Sequence, residues 1–268
     1  MKRCISNIAW DREEDDAAHA LLMERGVRDL EIAPTRIWDD VEAATLDDAR
    51  AWKTHLSRYG LRTTAYQALL FGLPNARIFR SPEEESACAG RVRHLADLAG
   101  AQGGGVFVFG SPKNRSRGDI PQEEAFQRAR LFLRALGEYG FPRGVILGIE
   151  AIPEAYGCDF IRTVGEAVSL VRAVDHPGVR LHLDTGGLIV NEENPEEVLP
   201  PVMDQVCHVH ISEPLLRNFD RPSEVHPRIA AVLQAGGYSG RVSIEMKRDP
   251  SGLDAVKKAL DFVEGVYL

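Results

Sequence analysis

Short apolar runs with a period of two alternate with longer stretches of helical period from one end of the chain to the other. The strand-like runs are Cys4–Trp10, Val27–Ala33, Leu61–Leu70, Val106–Phe109, Gly144–Ile152, Val179–Thr185, Val206–Ser212 and Arg241–Met246. Between them the spacing predicts helices over Asp15–Arg25, Thr45–Tyr59, Ser81–Ala99, Gln122–Tyr139, Thr163–Val174, a short one opened by Asn194-Pro195-Glu196, Ser223–Ala235 and Gly252–Tyr267. Stop and start signals agree with these limits. Gly26 and Gly60 close the first two helices, Thr45 and Asp48 have capping-box spacing, and Pro82 occupies a first helical turn. Eight strand–helix units of roughly 30–35 residues, with no break in composition, favour one α/β domain over residues 1–268, closed into a (β/α)8 barrel.

The polar positions of the second half carry the chemistry. In VILGIE the odd positions Val145, Leu147 and Ile149 are apolar, and the even set ends in Glu150. The next strands repeat this: Leu181 and Leu183 alternate with His182 and Asp184, Val209 and Ile211 with His208 and His210, Val242 and Ile244 with Ser243 and Glu245. In a closed barrel the apolar parity packs on the helices, so the polar parity points inward. Glu150, Asp184, His210 and Glu245 then converge at the C-terminal mouth. Three carboxylates together in low dielectric repel one another, and a divalent cation relieves this. Three oxygen donors and one imidazole suit Mn2+, Mg2+ or Co2+, with Zn2+ an alternative. His182 and His208 lie deeper and read as core histidines, and Glu31 is within reach of the mouth.

Composition narrows the partners. The net charge of −8 argues against a nucleic-acid or anionic-membrane surface, and no apolar run has the length of a membrane span. Met1–Trp10 lacks the apolar core of a signal peptide. Cys4, Cys88, Cys158 and Cys207 are scattered, as expected of reduced thiols in a cytoplasmic protein. Lys113, Asn114, Arg115 and Arg117 follow the fourth strand and are candidates to bind a phosphorylated or acidic sugar. Gln67, Trp10 and Phe71 end strand-like runs on the same side and are candidates for sugar contacts.

As a set, the GIE ending in Glu150, the LDTG of Asp184, the HVHISEP of His210 and the SIE of Glu245 resemble the ligand motifs of the sugar phosphate isomerase/epimerase superfamily, the xylose isomerase-like TIM barrels. The resemblance spans essentially the whole chain. It implies a metal-dependent isomerase or epimerase of a ketose, phosphorylated or not, in which Glu150 and Glu245 are both ligands and the acid/base pair of an enediolate mechanism. It also implies substrate contacts from Arg217 and Glu154, a small-molecule sugar as partner, and a homodimer or homotetramer. One departure stands out: ketose 3-epimerases carry a histidine three residues after the strand-six aspartate, where this chain has Gly187. Two other functions fit the same pattern. One is a metal-dependent dehydratase or lyase acting on a polyol or keto acid; the other is a non-catalytic barrel that binds a sugar or a protein.

Overall fold

In the computed structural model, which describes residues 1–73 and 75–268, eight parallel strands hydrogen-bond in chain order, and the eighth pairs with the first. They are β1 (Lys2–Ser6), β2 (Asp29–Ile32), β3 (Arg62–Tyr66), β4 (Gly105–Phe109), β5 (Val145–Glu150), β6 (Val179–Asp184), β7 (Val206–Ser212) and β8 (Arg241–Glu245). Outside them lie α1 (Asp15–Glu24), α2 (Leu46–Ser57), α3 (Pro82–Gln102), α4 (Gln122–Gly140), α5 (Val164–Val174), α6 (Thr185–Val190), α7 (Pro195–Val198), α8 (His226–Ala235) and α9 (Leu253–Tyr267). This is a closed (β/α)8 TIM barrel. Val209, Ile211, Val242 and Ile244, from the outward parity of β7 and β8, are fully buried in the layer shared with the helices. No described helix is long and apolar enough to cross a membrane.

Local chemistry explains where the elements depart from the sequence reading. β1 stops at Ser6, whose hydroxyl accepts from Ile8 N–H and opens a 3-10 turn over Asn7–Ala9. Ile8-Ala9-Trp10 therefore leaves the sheet despite its apolar character. β3 ends at Tyr66, and Ala68 takes a positive φ of 52°, which turns Leu69 and Leu70 over the barrel end. α6 was not anticipated in a sequence containing Gly186 and Gly187. Asp184 caps it, accepting from Gly187 N–H at 2.7 Å, and so serves both as strand end and as helix cap.

Candidate active site

The register of the last four strands builds a staircase. Glu150 pairs with His182, Asp184 with His210, and Ser212 with Glu245. Each strand tilts against the next, so polar residues on neighbouring strands reach the mouth at staggered heights. Beneath them Glu31 of β2, wholly buried, accepts from His210 Nε2 at 2.8 Å, His208 Nε2 at 3.1 Å and Ser243 Oγ at 2.5 Å. If Nε2 of His210 gives its hydrogen to Glu31, Nδ1 presents a lone pair. That atom lies 3.1 Å from Glu245 Oε2, without hydrogen-bond alignment. Two electron-rich atoms face each other there, and only a proton or a cation between them makes the arrangement favourable. Asp184 is oriented from behind by the Ser212 hydroxyl and the Gly187 N–H.

The electrostatics match this geometry. Burial and the nearby Asp184 hold the Glu150 carboxyl well above the usual carboxylate range. Burial and Glu245 push Asp184 up in the same direction. Burial alone would drive His210 down, but Glu31 and Glu245 on either side hold it well above the usual histidine range. Glu31 is held well below its usual range, because His210 and His208 overcome the burial that opposes its charge. Raised in this way, Glu150, Asp184 and His210 would release protons on binding a cation more than ordinary carboxyls and imidazoles would. Asp184, His210 and Glu245 offer donor atoms within 4.8 Å of one another, as do Glu150, His182 and His210. Donor chemistry, mutual repulsion and the unaligned His210–Glu245 contact together fit a divalent cation. His182, read from sequence as core, is buried with neither ring nitrogen hydrogen-bonded among the described residues, and its ring stands edge-on to His210 at 4.2 Å.

Glu150, Asp184 and Glu245 open onto a cavity of about 300 Å³. Its wall includes Gln67, Tyr156 and a largely apolar set: Leu69, Leu70, Phe109 and Leu216. Gln67, a candidate for sugar contact, is part of this wall and donates to Ser6 Oγ. The other candidate contacts do not line this cavity. Trp10 is buried outside the barrel, donating to Asp15 Oδ1 at 2.8 Å, because the chain turns at Ser6. Asn114 is buried and donates to the Ala76 carbonyl, stapling its loop. Arg115, only 2% exposed, donates to the backbone carbonyls of Glu150 at 2.7 Å and Ile161 at 3.2 Å, so it is a strut behind the site. Glu154 projects outward to Arg162 at 2.9 Å. Arg217 is exposed and reaches back to Glu213 at 3.3 Å, a carboxylate that Ser223 and His226 also hold. Arg117 is occupied with the carbonyls of Asp159 and Ile120, Lys113 is exposed, and Phe71 is 70% exposed.

Tyr156 and Gly110 are among the wall residues that the sequence reading did not single out. Tyr156 lies in a 3-10 turn after β5, and its hydroxyl accepts from Leu215 N–H at 3.0 Å, linking two mouth loops. Gly110 follows β4, and a methyl group there would overlap the Glu150 carboxylate. An aromatic side chain shortly after a strand ending in an acid, and a glycine directly after an apolar strand, were the available signals.

The sequence profile of the xylose isomerase-like TIM barrel family matches residues 20–265. No curated protein matches the sequence. Among solved structures, the chain is similar to a D-psicose 3-epimerase determined in the presence of D-fructose, at 14% identity and a TM-score of 0.82, covering 100% of this chain and 99% of that one. It is also similar to 3-keto-D-glucoside 4-epimerase from E. coli, at 17% identity and a TM-score of 0.82, covering 99% of each chain. A third similar structure is the IOLI protein with a binding zinc atom, at 19% identity and a TM-score of 0.77, covering 100% of this chain and 98% of that one. At these identities the likeness is one of fold.

Proposed function

The chain belongs to the xylose isomerase-like TIM barrel family, and from that premise we propose that it is a divalent-metal-dependent epimerase or isomerase of an unphosphorylated ketose. One observation carries the reading: Glu150, Asp184 and Glu245 share a cavity wall, with the Nδ1 of His210 set against Glu245. Glu150, Asp184, His210 and Glu245 would hold the ion. When bound, a divalent cation polarises a carbonyl and so acidifies the adjacent C–H.

The proton transfers fall to the chain's own carboxylates. Glu150 and Glu245 rise from β5 and β8, with two strands between them, and reach the cavity from different sides. One takes the proton from carbon at a carboxylate oxygen, and the other returns a proton to the opposite face. A buried Glu150 held above its usual range is suited to keeping a proton between the two steps. Glu31 fixes the ring of His210, leaving Nδ1 toward the mouth. Gln67 and Tyr156 supply polar contacts for hydroxyls, while Leu69, Leu70, Phe109 and Leu216 exclude water around the carbon acid. None of the described wall residues is cationic, and Arg115 and Arg117 are committed to backbone carbonyls, which favours a neutral sugar over a phosphorylated one.

The test is to strip the protein of metal, restore Mn2+, and assay ketopentoses and ketohexoses with and without a phosphate group. The expected result is a product of unchanged mass, formed only with metal, and formed faster from the unphosphorylated member of each pair. A protein that takes up no divalent metal and converts none of these sugars would overturn the proposal. A product lighter by one water would replace it with the dehydratase reading.

A further inference from the structure

Outside the barrel, α1 and α2 meet around a histidine that the reaction does not use. Asp16 and His19 lie one turn apart on the same face of α1, and His55 approaches from α2. The side chain of His19 is fully buried, yet neither of its ring nitrogens has a hydrogen-bond partner among the described residues. A buried imidazole left with both nitrogens unpaired is unfavourable, so such a group calls for an explanation. Donor atoms of Asp16, His19 and His55 all lie within 4.8 Å of one another. None of the three lines the cavity at the barrel mouth.

We propose that Asp16, His19 and His55 form a second, peripheral site for a borderline divalent transition metal such as Zn2+, which ties α1 to α2. The surroundings support it. Burial and the neighbouring His55 push the His19 pKa down to about 4, so this imidazole is neutral near pH 7 with a lone pair to give. The Tyr59 hydroxyl donates to Asp16 Oδ1 at 2.8 Å, orienting the carboxylate. Trp52 stacks on His55 with 5.4 Å between ring centroids and 19° between planes, fixing that ring. A groove of about 450 Å³, lined in part by Asp16, Asp48, Trp52 and His55, gives an ion and a completing water a way in. Two imidazoles and one carboxylate with an open fourth position suit zinc or cobalt better than the hard cations favoured by the carboxylate-rich mouth.

The experiment uses the metal-stripped full chain, with Co2+ as a spectroscopic probe and Zn2+ in a thermal-shift arm. Wild type should bind one more equivalent of Co2+ than His55→Ala, with a visible d–d band that His55→Ala lacks. Asp16→Ala, at an exposed position that packing does not constrain, provides the same test should His55→Ala fold poorly. Zn2+ should raise the melting temperature of wild type more than that of either variant, with ketose turnover unchanged in both. The equivalent lost in Asp184→Asn is a different one, so failure of the mouth site and failure of this site are read separately. Equal cobalt stoichiometry, spectra and zinc-dependent melting in wild type, His55→Ala and Asp16→Ala would overturn the proposal.

Discussion

Gly110→Ala tests how tightly the barrel positions Glu150. A β-carbon at residue 110 would overlap Glu150 Oε2 and stand 2.7 Å from its Cδ, against 3.4 Å for ordinary contact. Cδ must therefore retreat by about 0.7 Å, and the oxygen by more. The atoms met are the far end of a side chain, and Gly110 does not have a positive φ, so the backbone accepts alanine. An off-rotamer glutamate costs about 0.5–1.5 kcal/mol, and replacing glycine by alanine recovers about 0.4–1 kcal/mol through the unfolded chain. The melting temperature should therefore move by no more than a few degrees. Function should respond far more. A displacement near 1 Å of a group that must meet a metal and a carbon-bound proton costs on the order of 10²-fold in kcat/KM, about 2.7 kcal/mol of barrier. Mn2+ affinity should fall by about 10–100-fold. Isothermal titration with Mn2+ and ketose turnover measure both. A well-folded Gly110→Ala protein with wild-type affinity and turnover would refute the placement of Glu150 at the reacting centre.

Other outcomes follow from the same geometry. Glu150→Gln and Glu245→Gln should each remain folded and lose the acid/base contribution, roughly 10²–10⁴-fold in turnover, with solvent deuterium exchange into substrate differing between the two. Asp184→Asn and His210→Ala should lose activity through metal affinity, and excess Mn2+ should restore part of it. Because their surroundings hold Glu150, Asp184 and His210 above their usual ranges, protons compete with the ion. Mn2+ affinity should thus fall as pH drops through those raised values, roughly tenfold per pH unit for each proton displaced, as read by titration across pH. Arg115→Met should remove the hydrogen bonds to the carbonyls of Glu150 and Ile161, of which Ile161 keeps its bond from Ile152 N–H, and cost about 1–3 kcal/mol in denaturant unfolding, with no selective loss for phosphorylated sugars.

The fold was legible because each strand carries its own punctuation. β7 runs over Val206–Ser212 as its alternation predicts, and the Thr45–Asp48 capping box opens α2. The inward parity of β5 to β8 was legible for the same reason, since a period of two leaves no choice once the apolar set is assigned to the helices. The residues that failed sit in loops, where side-chain direction depends on turns that periodicity does not encode. A positive φ at Ala68 and a serine-capped turn after β1 decide that Leu69 lines the cavity and Trp10 does not. Arg115 misled for another reason: a charged residue in a polar loop reads as solvated, and only tertiary structure supplies the buried carbonyls that pair it. Glu31, noted as within reach of the mouth, lies beneath it, because His208 and His210 on the far side of the barrel converge on its carboxylate.

In the proposed reaction, two glutamates beside a divalent ion move a carbon-bound proton of a ketose. This transfer is tested most directly by incubating the Mn2+-loaded protein with ketoses in D2O and following the sugars by proton NMR. Deuterium should appear at one carbon adjacent to the carbonyl, in recovered substrate and in its isomer or epimer, and not with metal-stripped protein. Loaded protein that binds a ketose yet leaves every adjacent C–H unexchanged would contradict it.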